Sequence, residues 1–249
     1  ASIVLCSHLG RPKGKIVKEM RLQPVAHRLE ALLGEAITYV RDCKGSTVPV
    51  RLHGALGIGA AYAAAAGTAV GIAMKMNLVE ISDALHGYTP PPGRMRLIRG
   101  IKHSTILDDT YNASPAAVRA ALETLRESPG KRKIAVLGDI LEIGKYTEHA
   151  HRAIGDLAAQ CADMIFCVGA RAKFIADEAR LRGFDPSHIF IFDDSRSAGR
   201  ALDPMIRTGD LILVKGSQGM RMEQAVEEIM AHPEDASKLL VRQESHWKR

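Results

Sequence analysis

The sequence has few cysteines and few aromatic residues for its length of 249. Its four cysteines form no C-x-x-C pair and have no histidine at zinc-ligand spacing, which predicts reduced thiols and no metal site. Aromatic residues make up 4%, so the core is expected to consist mainly of Ala, Leu, Ile and Val. The net charge of +6 suits an anionic ligand such as a nucleotide. The sequence lacks the dense Lys/Arg stripe of a nucleic-acid-binding domain, so no nucleic-acid partner is predicted.

The sequence also lacks the short motifs of three large enzyme classes. Residues 138–147 contain a Gly-Lys pair, but the spacing from Gly138 to Gly144 is one residue too long for a P-loop. Tyr146 stands where the loop needs a hydroxyl to hold magnesium. No G-x-G-x-x-G lies between a strand and a helix, and no G-x-S-x-G is present. A dinucleotide-binding fold and an α/β hydrolase are therefore not supported.

One uncharged stretch, residues 55–74, is long enough to span a bilayer. It consists mostly of Ala and Gly with a single Leu, and these residues contribute little to membrane insertion. We therefore predict a buried helix of a soluble protein and no membrane partner.

From residue 104 onward the sequence repeats a regular pattern of a short apolar run followed by apolar residues at helical spacing. Continuous Val/Ile/Leu runs are typical of parallel strands covered on both faces. The sequence therefore predicts an α/β fold with a mostly parallel Rossmann-like sheet flanked by helices. The five predicted strands are residues 104–109, 133–138, 163–169, 188–192 and 210–216.

Ligands of such sheets bind beyond the carboxyl ends of the strands, where LDDTYNASPAAV (107–118) places two adjacent carboxylates. Ser114 is expected to cap the next helix and Pro115 to occupy its first position, both structural roles. Asp108 is expected to cap the turn. Asp109 is expected to be freer to bind a ligand, and a carboxylate at this position can accept hydrogen bonds from both hydroxyls of a ribose.

Several separate stretches occur in the order found in one enzyme family. They are GRMRLIRGIKHSTILDDTYNASPAAVRAALETL, KIAVLGDILEIGKYTEHAH, GDLILVKGSQGMRME and LLVRQESHW. Together they resemble the C-terminal domain of the Mur ligases, from about residue 50 to the end. Residues 50–93 resemble the tail of that family's central ATPase domain and the hinge after it.

The resemblance implies a cytoplasmic, ATP- and magnesium-dependent ligase of peptidoglycan precursors. It implies that D-alanyl-D-alanine is added to a UDP-muramyl tripeptide. In that family ATP phosphorylates the precursor's carboxylate, and the incoming amine then attacks the acyl phosphate. Two features of the family's ATP site are missing from this sequence. There is no P-loop, and GALGIGA (54–60) replaces G-x-H-N-x-x-N. An incomplete ligase is therefore expected.

The resemblance also implies two groups of binding residues and no metal ligand in this chain, and it leaves the catalytic residues unknown. Around ATP it implies the hinge arginine, the ribose aspartate and two neighbours: Arg94, Asp109, Tyr111 and Asn112. Near the incoming dipeptide it implies one loop: Lys215, Gly216 and Ser217.

The first 45 residues resemble a different family. IVLCSHLGRPKGK, LQPVAHRLEALLG and AITYVRDCKG are similar to the N-terminal domain of phosphoglycerate kinase. The resemblance implies that His8 and Arg11 contact an anionic phosphoglycerate, and the alternative is a basic loop without a ligand. One βαβ unit of this size cannot bury a core alone.

The chain is therefore expected to be composite. Residues 1–46 would be a βαβ fragment, 50–93 a helical tail plus hinge, and 94–249 a Mur-type C-terminal domain. The leading hypothesis is the amino-substrate half of a peptide ligase. The alternatives are a non-catalytic nucleotide- or peptide-binding module and a remnant phosphoglycerate kinase.

Overall fold

The computed structural model describes residues 56–247. Within that range the chain divides into two compact units, one of residues 61–87 and one formed by residues 56–60 and 88–247. The βαβ fragment predicted for residues 1–46, with its His8 and Arg11, lies outside the described residues.

Two helices, α1 (Gly57–Ala73) and α2 (Leu78–His86), make up most of the first unit. The prediction of a helix is confirmed, but the prediction that it is buried is wrong: Tyr62 is 70% exposed, and Gly71 is the one buried residue among those described in α1. Alanine has the highest helix propensity, so this helix can form without packing one face against a core. Alanine and glycine also offer little apolar area to bury, so little free energy favours burial. Within residues 56–247, none of the helices combines the length and hydrophobicity needed to cross a bilayer.

The second unit is built on one six-stranded sheet. Its order is β1-β2-β6-β3-β4-β5, with β1 antiparallel to β2 and every other neighbour parallel. The five predicted strands and the mostly parallel sheet are confirmed. The strands are β1 (Arg96–Arg99), β2 (Thr105–Asp109), β3 (Arg132–Gly138), β4 (Met164–Val168), β5 (Ile189–Phe192) and β6 (Asp210–Lys215).

Strand β1 is missing from the prediction because its sequence, RLIR, carries no apolar run. Only Ile98 is buried, and the strand pairs along the edge of the sheet.

Six helices of this unit cover both faces of the sheet. Side chains of α3, α4 and α5 pack on one face, and those of α6, α7 and α8 pack on the other. The alternate residues of each strand enter these two cores, which explains the uninterrupted apolar runs. The helices are α3 (Pro115–Glu127), α4 (Thr147–Cys161), α5 (Lys173–Leu181), α6 (Ser195–Leu202), α7 (Glu223–Ile229) and α8 (Ala236–Leu239).

The cysteines of this unit are structural. Cys161 and Cys167 are free thiols buried in the core, as expected for reduced residues. Burial raises the pKa of the Cys167 thiol to about 12, so this sulfur stays protonated and unreactive.

Candidate functional site

Strand β6 marks the position where the sheet offers a crevice. It lies between β2 and β3, whose following helices pack on one face, whereas α7 after β6 packs on the other. Ligands of open α/β sheets bind at the carboxyl ends of strands where neighbouring connections leave toward opposite faces. The loops after β2, β3 and β6 are therefore the candidate site, residues 110–114, 139–146 and 216–222.

A buried ion pair joins the ends of β2 and β6. Asp109 and Lys215 are register partners on these neighbouring parallel strands. The Nζ of Lys215 lies 2.5 Å from Oδ2 of Asp109 and donates to the carbonyl of Asn112 at 3.0 Å. The other Asp109 oxygen accepts the backbone N–H of Met95 at 3.1 Å. The structure thus brings three sequence-predicted residues together, but Asp109 is not free as expected, since both of its oxygens are engaged.

The loop after β6 is tied to the loop after β3. The backbone N–H of Ser217 donates to the carbonyl of Asp139 at 3.0 Å, and the Ser217 hydroxyl accepts the N–H of Leu141 at 2.8 Å. Gly216 is required here, because a Cβ atom would lie 2.7 Å from the side chain of Met222 and 3.0 Å from the Cα of Gly138. The predicted Lys215–Gly216–Ser217 loop is therefore a rigid rim of the crevice.

Arg94 and Tyr111 form an exposed surface beside the ion pair. The Arg94 guanidinium lies over the Tyr111 ring, 4.0 Å from its centroid, and both residues are solvent-exposed. Such stacking leaves the guanidinium N–H groups at its edge available to an anion. Asn112 connects this turn to the β6 loop, because its Oδ1 accepts the backbone N–H of Gln218 at 3.2 Å.

Asp108 caps the turn, as predicted. It is completely buried and accepts the N–H of Gly93 at 2.9 Å and the hydroxyl of Thr110 at 2.6 Å. The N–H of Tyr111 returns to the carbonyl of Gly93, so this carboxyl fixes the segment that carries Arg94 against the end of β2. Burial raises the pKa of Asp108 from 3.8 to about 6, against the lowering effect of these hydrogen bonds.

The raised pKa of Asp108 predicts a specific pH dependence of stability. Between pH 3.8 and about 6 the folded protein keeps a proton that the unfolded chain releases, so stability falls as pH rises and changes little above pH 6. From pH 4 to pH 7 we expect the free energy of unfolding of the wild type to fall by about 2 kcal/mol relative to Asp108→Asn. Urea unfolding of both proteins measures this difference, and parallel pH curves would contradict it.

Three charged residues near the site are missing from the sequence-based prediction. Glu223, at the start of α7, is buried and pairs with Arg242 at 2.8 Å and with Arg221 at 2.6 Å. Arg242 is also buried and donates to the carbonyls of Thr110 and Tyr111. Arg242, in the C-terminal tail, therefore holds in place the turn after β2 that carries Tyr111 and Asn112. The sequence did contain a signal for burial of Glu223 and Arg242, because each stands next to apolar residues, in RME and LLVRQ.

Two polar residues at the strand ends, and one histidine in α4, have structural roles. Asp139 accepts the N–H groups of Arg171 and Ala172 and so fixes the loop after β4. Asp194 caps α6. His151 contacts the carbonyl of Thr147 with one ring nitrogen and accepts the N–H of Ile140 with the other. Burial lowers its pKa, so the neutral ring is favoured. No cluster of His, Cys, Asp or Glu within residues 56–247 has the arrangement of a metal site.

The sheet order and the crevice at β6 define a doubly wound α/β domain. Residues 93–218 match the family model described as Mur ligase, glutamate ligase domain, which is half of the chain. The chain belongs to the Mur ligase family. The matched region includes the ion pair of Asp109 and Lys215.

Two known proteins show how far this similarity extends. The UDP-N-acetylmuramoyl-tripeptide–D-alanyl-D-alanine ligase of Bacillus subtilis is 32% identical over 173 residues, which are 69% of this chain and 37% of that enzyme. The crystal structure of MurF ligase from Thermotoga maritima in complex with ADP has a TM-score of 0.60 at 28% identity. The matched region covers 72% of this chain and 39% of the Thermotoga chain. The chain thus spans less than two fifths of the length of these relatives.

A second family model matches at the other end of the chain. Residues 1–56 match phosphoglycerate kinase. The enzyme of Moorella thermoacetica is 56% identical over 48 residues, which are 19% of this chain and 12% of that enzyme. This similarity is short and lies almost wholly outside the described residues.

Proposed function

We propose that the chain supplies the amino-substrate half of an ATP- and magnesium-dependent ligase of peptidoglycan precursors. The reaction adds D-alanyl-D-alanine to a UDP-muramyl tripeptide. The observation that carries this proposal is the buried ion pair between Asp109 and Lys215 at the crevice. The pair joins the residue proposed for the ribose of ATP to the loop proposed for the dipeptide, and this supports one crevice for both ligands. Such closeness suits a reaction in which the dipeptide amine attacks the acyl phosphate that ATP has just formed.

The residues present fit a bound nucleotide. An ionised carboxylate has about four acceptor positions, and Asp109 uses two of them, for Lys215 and for the backbone of Met95. The remaining two suit the hydroxyls of a ribose. Arg94, exposed over Tyr111, provides a guanidinium for the phosphates, and Asn112 holds the turn between them.

The dipeptide would lie against the rim formed by Lys215, Gly216 and Ser217. This rim has no flexible side chain at Gly216 and is tied to the loop after β3 by two hydrogen bonds. We further propose that residues 94–249 are the domain that binds both ligands. In this division, residues 50–93 are a helical tail and hinge, and 1–46 are a separate phosphoglycerate-kinase-like segment.

The second candidate function is a binding module without ligase activity. It is favoured by the sequence itself, which contains no G-K-[ST] and therefore no P-loop to hold the transferred phosphate.

Calorimetric titration of the purified chain with Mg-ATP and with D-alanyl-D-alanine tests the proposal. We expect both ligands to bind. Asp109→Ala should lower the affinity for Mg-ATP by about tenfold or more, since charged hydrogen bonds contribute about 1.5–3 kcal/mol each. Asp177→Ala is the matched control, because that carboxylate is exposed and its ion-pair partner within residues 56–247 is Arg180 on the same helix, α5. Binding of neither ligand, or an equal loss in both variants, would overturn the proposal.

Mass spectrometry then separates the two candidates: the chain is incubated with UDP-muramyl tripeptide, Mg-ATP and D-alanyl-D-alanine, together with the P-loop-containing part of a Mur ligase added as a separate chain. Formation of the amide product supports the ligase. Binding of both small ligands without any product supports the binding module.

A further inference from the structure

A cavity of about 300 Å³ lies between α6, α7 and the C-terminal tail. This volume is at the lower end of the range for small-molecule sites. Charged and amide side chains line the cavity together with one aromatic ring, that of Trp247, which is the single tryptophan of the sequence. None of the described lining residues belongs to the groups proposed above for ATP and for the dipeptide. The cavity is therefore a separate candidate site.

One end of this cavity places two guanidinium groups on a single carboxylate. Arg221 and Arg242 both pair with the buried Glu223, at 2.6 Å and 2.8 Å. Arg242 also donates to the backbone carbonyls of Thr110 and Tyr111, which are dipoles without a net charge. Within the described residues, this end of the cavity therefore keeps an excess of one positive charge.

The charges at the other end of the cavity are balanced. Arg196 of α6 pairs with Glu227 at 3.0 Å and with Glu228, and Arg200 pairs with Glu228 at 3.3 Å. Two guanidinium groups thus meet two carboxylates. The remaining described residues of the lining are uncharged. The cavity as a whole therefore suits a ligand with a single negative charge.

Two polar groups at the cavity have unused hydrogen-bonding capacity. Arg221 reaches Glu223 through its Nε, and no hydrogen bond to residues 56–247 uses its two terminal nitrogens. The Oε1 of Gln243 is buried and accepts no hydrogen bond from the described part of the chain. The Nε2 of the same amide donates to the carbonyl of Val241 at 3.2 Å, which fixes the nitrogen on that side. A buried acceptor without a donor costs free energy, so a ligand that supplies a donor is favoured.

We propose that this cavity binds a small α-hydroxy acid, a carboxylate with a hydroxyl on the adjacent carbon. The two terminal nitrogens of Arg221 suit the carboxylate, because a guanidinium binds it through two parallel hydrogen bonds. The hydroxyl would donate to the Oε1 of Gln243. The ring of Trp247, whose centroid is 5.3 Å from the guanidinium carbon of Arg221, borders the space for the rest of the molecule. This site goes beyond the proposed ligase function and does not depend on it.

Racemic 3-phenyllactate is the probe, and 3-phenylpropionate, which lacks only the hydroxyl, is its matched comparison. Calorimetry measures both affinities, and the fluorescence of Trp247, the single tryptophan, shows whether binding occurs at this cavity. We expect both acids to change the fluorescence, and phenyllactate to bind about fivefold more tightly because it forms one more hydrogen bond. Phenylalanine should bind about fivefold more weakly than phenyllactate, because it has no net charge and its ammonium is repelled by the guanidinium groups.

Replacing Gln243 with methionine removes the acceptor with little change in side-chain size. The two acids should then bind this variant within about twofold of each other. Gln160→Met is the control, because Gln160 is exposed on α4, which packs on the other face of the sheet, and this variant should keep the preference. Arg221→Lys keeps the positive charge but loses the paired donors, so it should weaken the binding of both acids. Thermal unfolding checks that all three variants fold.

An unchanged preference for phenyllactate in Gln243→Met, or the same loss of preference in Gln160→Met, would overturn the proposal. Equal affinities for phenylalanine and phenyllactate would show that the ligand does not need a net negative charge, which also contradicts it. Binding without a change in the fluorescence of Trp247 would place the acids elsewhere on the protein. Absence of binding to the wild type would show that the cavity holds only water.

Discussion

Replacing Arg242 with methionine is expected to lower the free energy of unfolding by about 3 kcal/mol, because it leaves a buried carboxylate without its principal partner. The side chains of Arg242 and Glu223 are only 5% and 2% exposed. Arg221 remains as a second partner of Glu223, so the loss is at the lower end of the range for broken buried pairs. The variant also frees the carbonyls of Thr110 and Tyr111, so the turn beside Asp109 should loosen.

Urea unfolding measures the stability change, and amide hydrogen exchange at residues 110–114 measures the loosening. Arg200→Met is the matched control, since Arg200 pairs with Glu228 but is 66% exposed, and its loss should change stability by less than about 0.5 kcal/mol. In the double variant Arg242→Met/Glu223→Gln part of the stability should return, because no buried charge is left unpaired. Similar losses for Arg242→Met and Arg200→Met would show that the buried network does not hold the turn.

The sheet was largely predictable because each buried strand carries an apolar run, and the helices carry apolar residues at helical spacing. Edge strand β1 was not predictable from this signal, because it buries only Ile98. The burial of α1 was predicted wrongly for the opposite reason. Its sequence is apolar throughout, yet alanine and glycine contribute so little area that the hydrophobic content does not indicate a buried face.

The arrangement of the site depended on information that local sequence does not contain. Position at the strand ends predicted which residues reach the edge of the sheet, but not which of them meet. Asp109 and Lys215 are 106 residues apart and become neighbours only because β6 inserts between β2 and β3. The pairing of Glu223 with Arg242 likewise depends on where the C-terminal tail returns. Conversely, the capping roles of Asp108 and Ser114 depend mainly on nearby backbone and were predicted correctly.

Replacing Lys215 with methionine is the second change with a large expected effect. The side chain of Lys215 is 2% exposed and that of its partner Asp109 is 13% exposed. The variant therefore leaves a mostly buried carboxylate whose remaining donor, in the part of the chain that the structure describes, is the N–H of Met95. We expect the free energy of unfolding to fall by about 3 kcal/mol. Lys238→Met is the control, because Lys238 is 80% exposed beside Asp235 and its loss should matter by less than about 0.5 kcal/mol.

A double-mutant cycle separates the ion pair from the individual side chains. In Asp109→Asn/Lys215→Met both charges are absent, so we expect the double variant to be more stable than the sum of the single changes predicts, by about 2 kcal/mol. The same proteins test whether the ion pair couples the binding of Mg-ATP to the binding of D-alanyl-D-alanine. If it does, Lys215→Met should weaken the binding of Mg-ATP as well as that of D-alanyl-D-alanine, because losing the ammonium releases Asp109 from its position. A loss confined to the dipeptide would show that the two binding regions act independently, although the strands that carry them are hydrogen-bonded neighbours.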